Sequence, residues 1–393
     1  MTTAARFAPP PRLLLGPGPS DVHPRVLEAL SQPLVGHLDP AFLGLMDELK
    51  RRLRAVFRTE NELTFAVSGT GSAGMEACLV NLLEEGDEAV VMVNGEFGRR
   101  MTDIVARCRA QPLAYEIPWG RAVEPADVEK ALSKAKRPKV LALVHAETST
   151  GAESPAGEIA PIVARSGALF VLDTVTSLGG CPVEVDAWHV DACYSGTQKC
   201  LSCPPGLAPV TFGARAREAI RARRSKVQSW YLDVTMIEKY WGAERVYHHT
   251  APISMNYALA EALRLVEEEG LSARFARHRR NHLSLAAGLE ALGFRFVVEP
   301  ARRLWMLNSV FLPTLPAGRD EAGLRRRLLD EFGIEVGGGL GDLKGKIWRI
   351  GLMGESSRRE KVLRLLSALE RLLTDAGVAV RPGSALAAAE QCA

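Results

Sequence analysis

The sequence predicts an α/β chain in which a large domain, built on a mainly parallel sheet, is followed by a smaller C-terminal α+β domain. Three observations carry that expectation. Short apolar runs alternate with helix-period segments from about residue 60 to about 215. The run 168–172 holds no charge until Asp173, as a strand buried on both faces requires. Beyond 215 the helix-period stretches cluster and the regular alternation stops. The expected divisions are an arm and entry loop over 1–20, the large domain over 21–265 and the small domain over 266–393.

In chain order, residues 1–12 are Pro-rich and irregular, an arm suited to lying on another surface. Leu13-Leu-Leu-Gly-Pro-Gly-Pro-Ser20 follows, with Gly16 and Gly18 free to take unusual φ and prolines stiffening the turn. A loop so constrained either sets its backbone against a ligand or simply enters the fold, and we place Gly18 among the substrate-contacting positions. Ser20 or Asp21 is the expected cap of a helix over 24–30. Phe42, Leu43, Met46, Leu49, Leu53 and Phe57 fall at helical spacing and predict a helix over 40–57. Strands are expected at 63–68, 89–94, 112–117, 140–145 and 168–173, with helices at 75–83, 99–109, about 125 onward and 155–165. The stretch 187–194 then leads to Lys199. In the second half, helices are expected over 256–266, 274–292, 320–331 and 357–376, with strand-like runs at 294–298, 308–312 and 347–351. The tail 377–393 shows no packing pattern.

Composition narrows the function. The 393 residues are 47% hydrophobic and 24% charged, with a net charge of +3 from 49 basic and 46 acidic side chains. That balance argues against nucleic-acid or membrane-surface partners. No apolar run is long enough to span a bilayer. The seven cysteines are scattered and odd in number, and the first residues lack the apolar core of a secretory signal. A reduced, cytoplasmic protein is expected. Cys200 and Cys203 have CxxC spacing, but no second pair accompanies them, so no metal is assigned.

The chemistry centres on Asp191-Ala-Cys-Tyr-Ser-Gly-Thr-Gln-Lys-Cys200. An apolar run that ends in Ser-Gly-Thr-Gln presents one lysine, Lys199, held to a cleft by small residues. Schiff-base chemistry with an aldehyde cofactor needs such an amine. Asp173 ends a buried strand, the place where open α/β sheets bind ligands. An acid there fits the pyridinium nitrogen of pyridoxal phosphate, which it keeps protonated. A strand-end Asp also commonly caps a helix or turn.

Gly69-Thr-Gly-Ser-Ala-Gly74 lies between a strand and a helix and matches GxGxxG, which keeps a dinucleotide-dependent oxidoreductase as a rival. The next strand ends in Asn94, with no acid for a ribose hydroxyl. The loop therefore reads as a cradle for one phosphate, with Gly71 and Ser72 as donors. Phe97 follows, suited to stacking on a flat ring or to plain core packing. Glu147-Thr-Ser-Thr-Gly151 is rich in hydroxyls that suit a phenolic oxygen. His248 and His249 are adjacent, a poor ligand pair on a strand. Arg349, between Trp348 and Ile350, either alternates outward or clamps a carboxylate with two parallel hydrogen bonds.

These motifs together resemble those of the class V, fold-type I, pyridoxal-phosphate aminotransferases of the alanine–glyoxylate, serine–glyoxylate and serine–pyruvate group. The resemblance covers nearly the whole chain. It rests on 13–20, Ser68-Gly-Thr-Gly71, His145-Ala-Glu-Thr-Ser-Thr-Gly151, Asp173-Thr-Val-Thr-Ser-Leu-Gly-Gly180, Tyr194-Ser-Gly-Thr-Gln-Lys199, Tyr247-His-His-Thr250 and Arg349-Ile-Gly-Leu352. It implies that Lys199 carries the cofactor and acts as the base, that Asp173 holds the ring nitrogen and that Val175 packs on the ring. Thr148 would approach the phenolic oxygen, and Gly71, Ser72 and Gln198 would bind the phosphate. Tyr247 and Thr250 would reach the phosphate of a neighbouring subunit, which implies a homodimer with shared sites. Arg349 would clamp the substrate carboxylate. Phe97 stands where the animal alanine–glyoxylate enzymes carry Trp, Ser72 where they carry His and Thr148 where they carry Ser. The implied reaction is ping-pong amino transfer from L-alanine or L-serine to glyoxylate or pyruvate. A cysteine desulfurase on the same fold is the alternative, with Cys200 or Cys203 as its thiol.

Overall fold

The computed structural model describes residues 7–392; residues 1–6 of the expected arm lie outside the described residues, as does Ala393. Its large layer runs β2 (Leu63–Ser68), α3 (Gly71–Leu82), β3 (Glu88–Val93), α4 (Glu96–Arg107), β4 (Gln111–Glu116), α5 (Pro125–Leu132) and β5 (Pro138–Val144). A short hairpin, β6 (Ala146–Glu147) and β7 (Ala152–Glu153), precedes α6 (Ala156–Ser166), β8 (Leu169–Asp173), β9 (Ala192–Tyr194) and β10 (Leu207–Phe212). Ahead of them come β1 (Leu13–Leu14), α1 (Pro24–Leu30) and α2 (Pro40–Phe57).

Seven strands form one sheet in the order β2-β10-β9-β8-β5-β3-β4. Five strands, β9, β8, β5, β3 and β4, run parallel in four pairings, while β10 is antiparallel to both its neighbours, β2 and β9. Every residue of β8 is buried, because helices cover both faces of a parallel sheet. Strand β10 carries Pro209, which cannot donate to a ladder and which in a sequence argues against an interior strand.

Helix α2 forms where its periodicity predicts. Asp39 caps it by accepting from the Ala41 N–H at 2.8 Å, Pro40 sits in the first turn, and Arg58 ends it in the left-handed region at φ 53°. Phe42, Met46, Leu49, Leu53 and Phe57 face the core, while Leu43 is only half-buried. The cap of α1 is His23, not Ser20 or Asp21: its ring nitrogen accepts from Arg25 N–H at 3.2 Å. Ser20 and Asp21 are drawn into long-range contacts instead. The Ser20 hydroxyl donates to the Lys199 carbonyl at 2.8 Å, and Asp21 pairs with Lys361 at 2.9 Å.

After α7 (Ala214–Arg221) and α8 (Val234–Trp241), the long helices α9 (Ile253–Glu269) and α10 (Leu271–Ala291) lead to the second layer. It contains β11 (Arg295–Phe296), β12 (Leu307–Phe311), α11 (Glu321–Phe332), β13 (Ile334–Glu335), β14 (Gly337–Gly338), β15 (Ile347–Gly351), α12 (Arg359–Asp375) and α13 (Ser384–Gln391). Its four-stranded antiparallel sheet has the order β11-β12-β15-β14, and β1 joins this layer by pairing parallel with β13. One hydrophobic cluster runs from Val26 to Val266, and a second combines Leu13 and Leu15 with residues from Leu285 to Ala389. The tail, where no packing was expected, forms α13 with Ala385 and Ala389 buried in the second cluster. Alanines four apart bury a narrow stripe but give little hydrophobic signal. Among the described residues no helix is long and apolar enough to cross a membrane.

Candidate active site

The C-terminal end of β8 delivers Asp173, which is 2% exposed. Its Oδ1 accepts from the Val175 N–H at 2.8 Å and its Oδ2 from the Tyr194 hydroxyl at 2.7 Å. Burial pushes its carboxyl up to about 6, against the opposing pull of those two donors and of the Lys199 and Arg100 charges. Tyr194 ends β9 beside it and is fully buried. Sequence reasoning quotes Tyr194 only as part of a motif; the pairing of Asp173 with Tyr194 in the β8–β9 ladder is what makes it a partner of the carboxylate.

Lys199 is buried in the turn after β9, and its ammonium donates to the Pro17 carbonyl of the entry loop. Burial is the main cause that lowers its pKa to about 8, and the nearby Arg349 charge adds to it. Gly18 lies against the lysine with φ +104°. A Cβ there would stand 2.6 Å from Nζ, so only glycine lets the entry loop close over the amine. The loop is held there by the Ser20 N–H, which donates to the Gln198 carbonyl at 2.9 Å, and by the Ser20 hydroxyl on Lys199.

Arg349 comes from the middle of β15 and does not alternate outward. It and its neighbours Trp348 and Ile350 are all buried. Its Nε donates to the Gly338 carbonyl at 2.7 Å and its Nη1 to the Thr148 carbonyl at 3.1 Å. Burial lowers its pKa to about 10, with Glu147 opposing. Thr148 thus meets Arg349 through its backbone.

The β6–β7 hairpin organises more of the site than its hydroxyls suggest. Glu147 Oε1 accepts from Ser149 N–H at 3.0 Å and from its hydroxyl at 2.6 Å, while Oε2 accepts from the Phe97 N–H at 3.2 Å. Ser149 in turn accepts from the Glu96 N–H at 3.0 Å. Gly95 offers α4 no capping side chain, so this pair caps the helix that carries Phe97. Full burial pushes the Glu147 carboxyl up to about 7. No local motif marks this role, because the capped helix lies about 50 residues upstream of the cap in the chain.

The GxGxxG segment is not all loop: α3 begins at Gly71. Thr70 makes no side-chain cap; the Ala73 N–H donates to the Thr70 carbonyl at 2.7 Å, and the Gly71 and Ser72 N–H groups are the first-turn donors left for an anion. A Cβ on Gly71 would press on Val175 at 3.1 Å, which places Val175 against that turn. The Gln198 Oε1 is buried without a hydrogen-bond partner. That oxygen only accepts, so the part of Gln198 that could serve a phosphate ester is its amide Nε2, donating beside the N–H groups of the bare helix N-terminus. Ser72 is exposed and accepts from Arg100 at 3.0 Å. The structure does not bring Tyr247 or Thr250 to Lys199. Both are exposed on an irregular segment, not a strand, which His249 pins to Ser68 at the end of β2 at 2.7 Å. The rings of His248 and His249 do meet, with their Nδ1 atoms 2.8 Å apart.

A buried amine of lowered pKa, a buried carboxylate at a strand end and an uncapped helix turn define the class: an enzyme working through an aldehyde cofactor that bears a phosphate. The chain belongs to the class-V aminotransferases, whose family description, Aminotransferase class-V, matches residues 13–340. Its fold is that of the fold-type I transferases and its cofactor is pyridoxal 5′-phosphate. The structure of ureidoglycine–glyoxylate aminotransferase from Bacillus subtilis superposes with a TM-score of 0.95 at 41% identity, covering 99% of each chain. That of alanine–glyoxylate aminotransferase from Nostoc sp. gives 0.91 at 50% identity, covering 94% of this chain and 97% of the other. Alanine–glyoxylate aminotransferase of Callithrix jacchus is 40% identical over 370 residues, 93% of this chain and 88% of that protein.

Proposed function

We propose that the chain transfers the amino group of a small 2-amino acid, L-alanine or L-serine, to glyoxylate or pyruvate by a ping-pong mechanism. Arg349 carries the reading of substrate size. Two of its nitrogens are held by carbonyls, which fixes the guanidinium and leaves Nη2 for one α-carboxylate. The acceptor is supported by the names of the three relatives, each a glyoxylate aminotransferase.

Pyridoxal phosphate, when bound, supplies an electron sink for the bond broken at the substrate Cα. In this reading Lys199 holds the cofactor and its Nζ, once freed by the incoming amine, takes the Cα proton. Asp173 keeps the ring nitrogen protonated, with Tyr194 and the Val175 N–H holding the carboxylate in place. Phe97 and Val175 would hold the ring and Thr148 would offer its hydroxyl to the phenolic oxygen. Gly71, Ser72 and Gln198 take the phosphate, and Gly18 lies over the amine beside the substrate. Tyr247 and Thr250 serve a second copy of the chain in a homodimer; their exposure on the pinned segment near β2 supports this. The division into an arm, a large and a small domain belongs to the same reading; the two main hydrophobic clusters support a large and a small unit, while the cut at 265/266 falls inside α9, whose Val266 packs in the first cluster. The cytoplasmic placement rests on cysteine usage, with all seven thiols free.

The desulfurase alternative needs an accessible thiolate. Cys200 and Cys203 are buried, and burial pushes the Cys200 thiol up to about 12 and raises Cys203 as well. The test is the visible spectrum of the purified holoenzyme with L-alanine, L-serine, L-aspartate or ureidoglycine added singly without acceptor. Loss of the yellow band with L-alanine or L-serine supports the reading. A response to aspartate alone, or to ureidoglycine alone, replaces the proposed donor.

A further inference from the structure

Every side chain or backbone group so far assigned to the cofactor's phosphate is neutral: Gly71, Ser72, Gln198 and, from a second copy, Tyr247 and Thr250. A phosphate monoester carries close to two negative charges at neutral pH. Neutral donors and a helix N-terminus offset only part of that charge.

We propose that Arg100 is the cation of the phosphate site. It lies one turn beyond Phe97 on α4, and its Nη1 donates to the Ser72 hydroxyl at 3.0 Å. Its guanidinium carbon sits 4.9 Å from the centre of the Phe97 ring, so the side chain spans from the stacking residue to the first turn of α3. Its charge is also felt at the Asp173 carboxylate. The neighbouring Arg99 turns elsewhere, lying over Trp119 at 4.9 Å and facing Asp342 at 3.9 Å. Among the described residues no carboxylate lies within ion-pair distance of Arg100, which leaves its charge uncommitted on the exposed side of the site. A guanidinium there offers a phosphate oxygen two parallel N–H donors, which a neutral hydroxyl cannot.

The inference rests on the proposed placement of the phosphate at Gly71 and Ser72. Its test is equilibrium binding to the cofactor-stripped protein, comparing pyridoxal phosphate with pyridoxal, which lacks the phosphate. Arg100→Met should weaken pyridoxal phosphate about 10-fold or more, the effect of removing a charge-assisted contact at a partly exposed site. It should leave pyridoxal within about twofold, and Arg100→Lys should recover much of the loss. The variant should also bind pyridoxal phosphate with less dependence on salt than the wild type. Equal weakening of both ligands, or none of either, overturns the inference. If Arg100→Met has no effect while Ser72→Ala and Gln198→Ala weaken pyridoxal phosphate, only the role of Arg100 falls. If none of the three variants changes its affinity, the phosphate placement itself falls.

Discussion

Covalent capture of pyridoxal phosphate by Lys199 should be governed by an amine that is partly neutral at physiological pH. Burial, reinforced by Arg349, lowers its pKa from 10.5 to about 8. A drop of that size corresponds to about 3 kcal/mol against the charged form. At pH 7.5 about a quarter of the amines are then neutral, where an ordinary lysine would offer about 0.1%, a gain of roughly 200-fold in reactive amine. The rate of capture by the cofactor-stripped protein, followed by absorbance or by borohydride trapping, should rise from pH 6 and level off above a midpoint near 8. The sign for Arg349 is fixed: its positive charge disfavours the ammonium, so Arg349→Met should move the midpoint upward and slow capture at pH 7.5. A wild-type midpoint near that of free lysine would refute the argument, as would a downward shift in the variant.

Four substitutions test the rest of the site. Lys199→Ala should still bind the cofactor, now non-covalently, and lose turnover by about 100-fold or more, the usual worth of a positioned base; wild-type turnover would remove Lys199 from the centre of the site. Asp173→Asn keeps an acceptor for the Val175 N–H but loses the charge, so turnover should fall about 100-fold while capture by Lys199 persists. Arg349→Lys loses the planar fork and both carbonyl contacts, and should raise KM for donor and acceptor alike by about 10-fold or more, since both carry the same carboxylate. Gly18→Ala places a methyl group against Nζ at a positive φ; thermal melting should show a folded protein, and absorbance titration should show impaired cofactor capture.

Much of this protein is determined by order along the chain. The periodicity of 40–57 and the uncharged run before Asp173 specify α2 and β8, because the pattern that buries each element is local. Residue chemistry also singles out Lys199, Asp173 and Arg349 as candidates, and the fold buries all three, although an outward-facing strand arginine and a capping acid are also readable from the sequence. The rest depends on what lies across the fold. Strand β10 is hidden by Pro209 and forms because β2 and β9 frame it. Ser20 reads as a helix cap yet binds the Lys199 carbonyl 179 residues away. Glu147 and Ser149 read as loop residues yet cap the helix bearing Phe97, and Tyr194 becomes a partner of Asp173 only when β9 pairs with β8. Polar side chains bond whichever unsatisfied group the fold brings within about 3 Å. Periodicity reveals which face of an element is buried; only the tertiary structure decides which polar groups meet there.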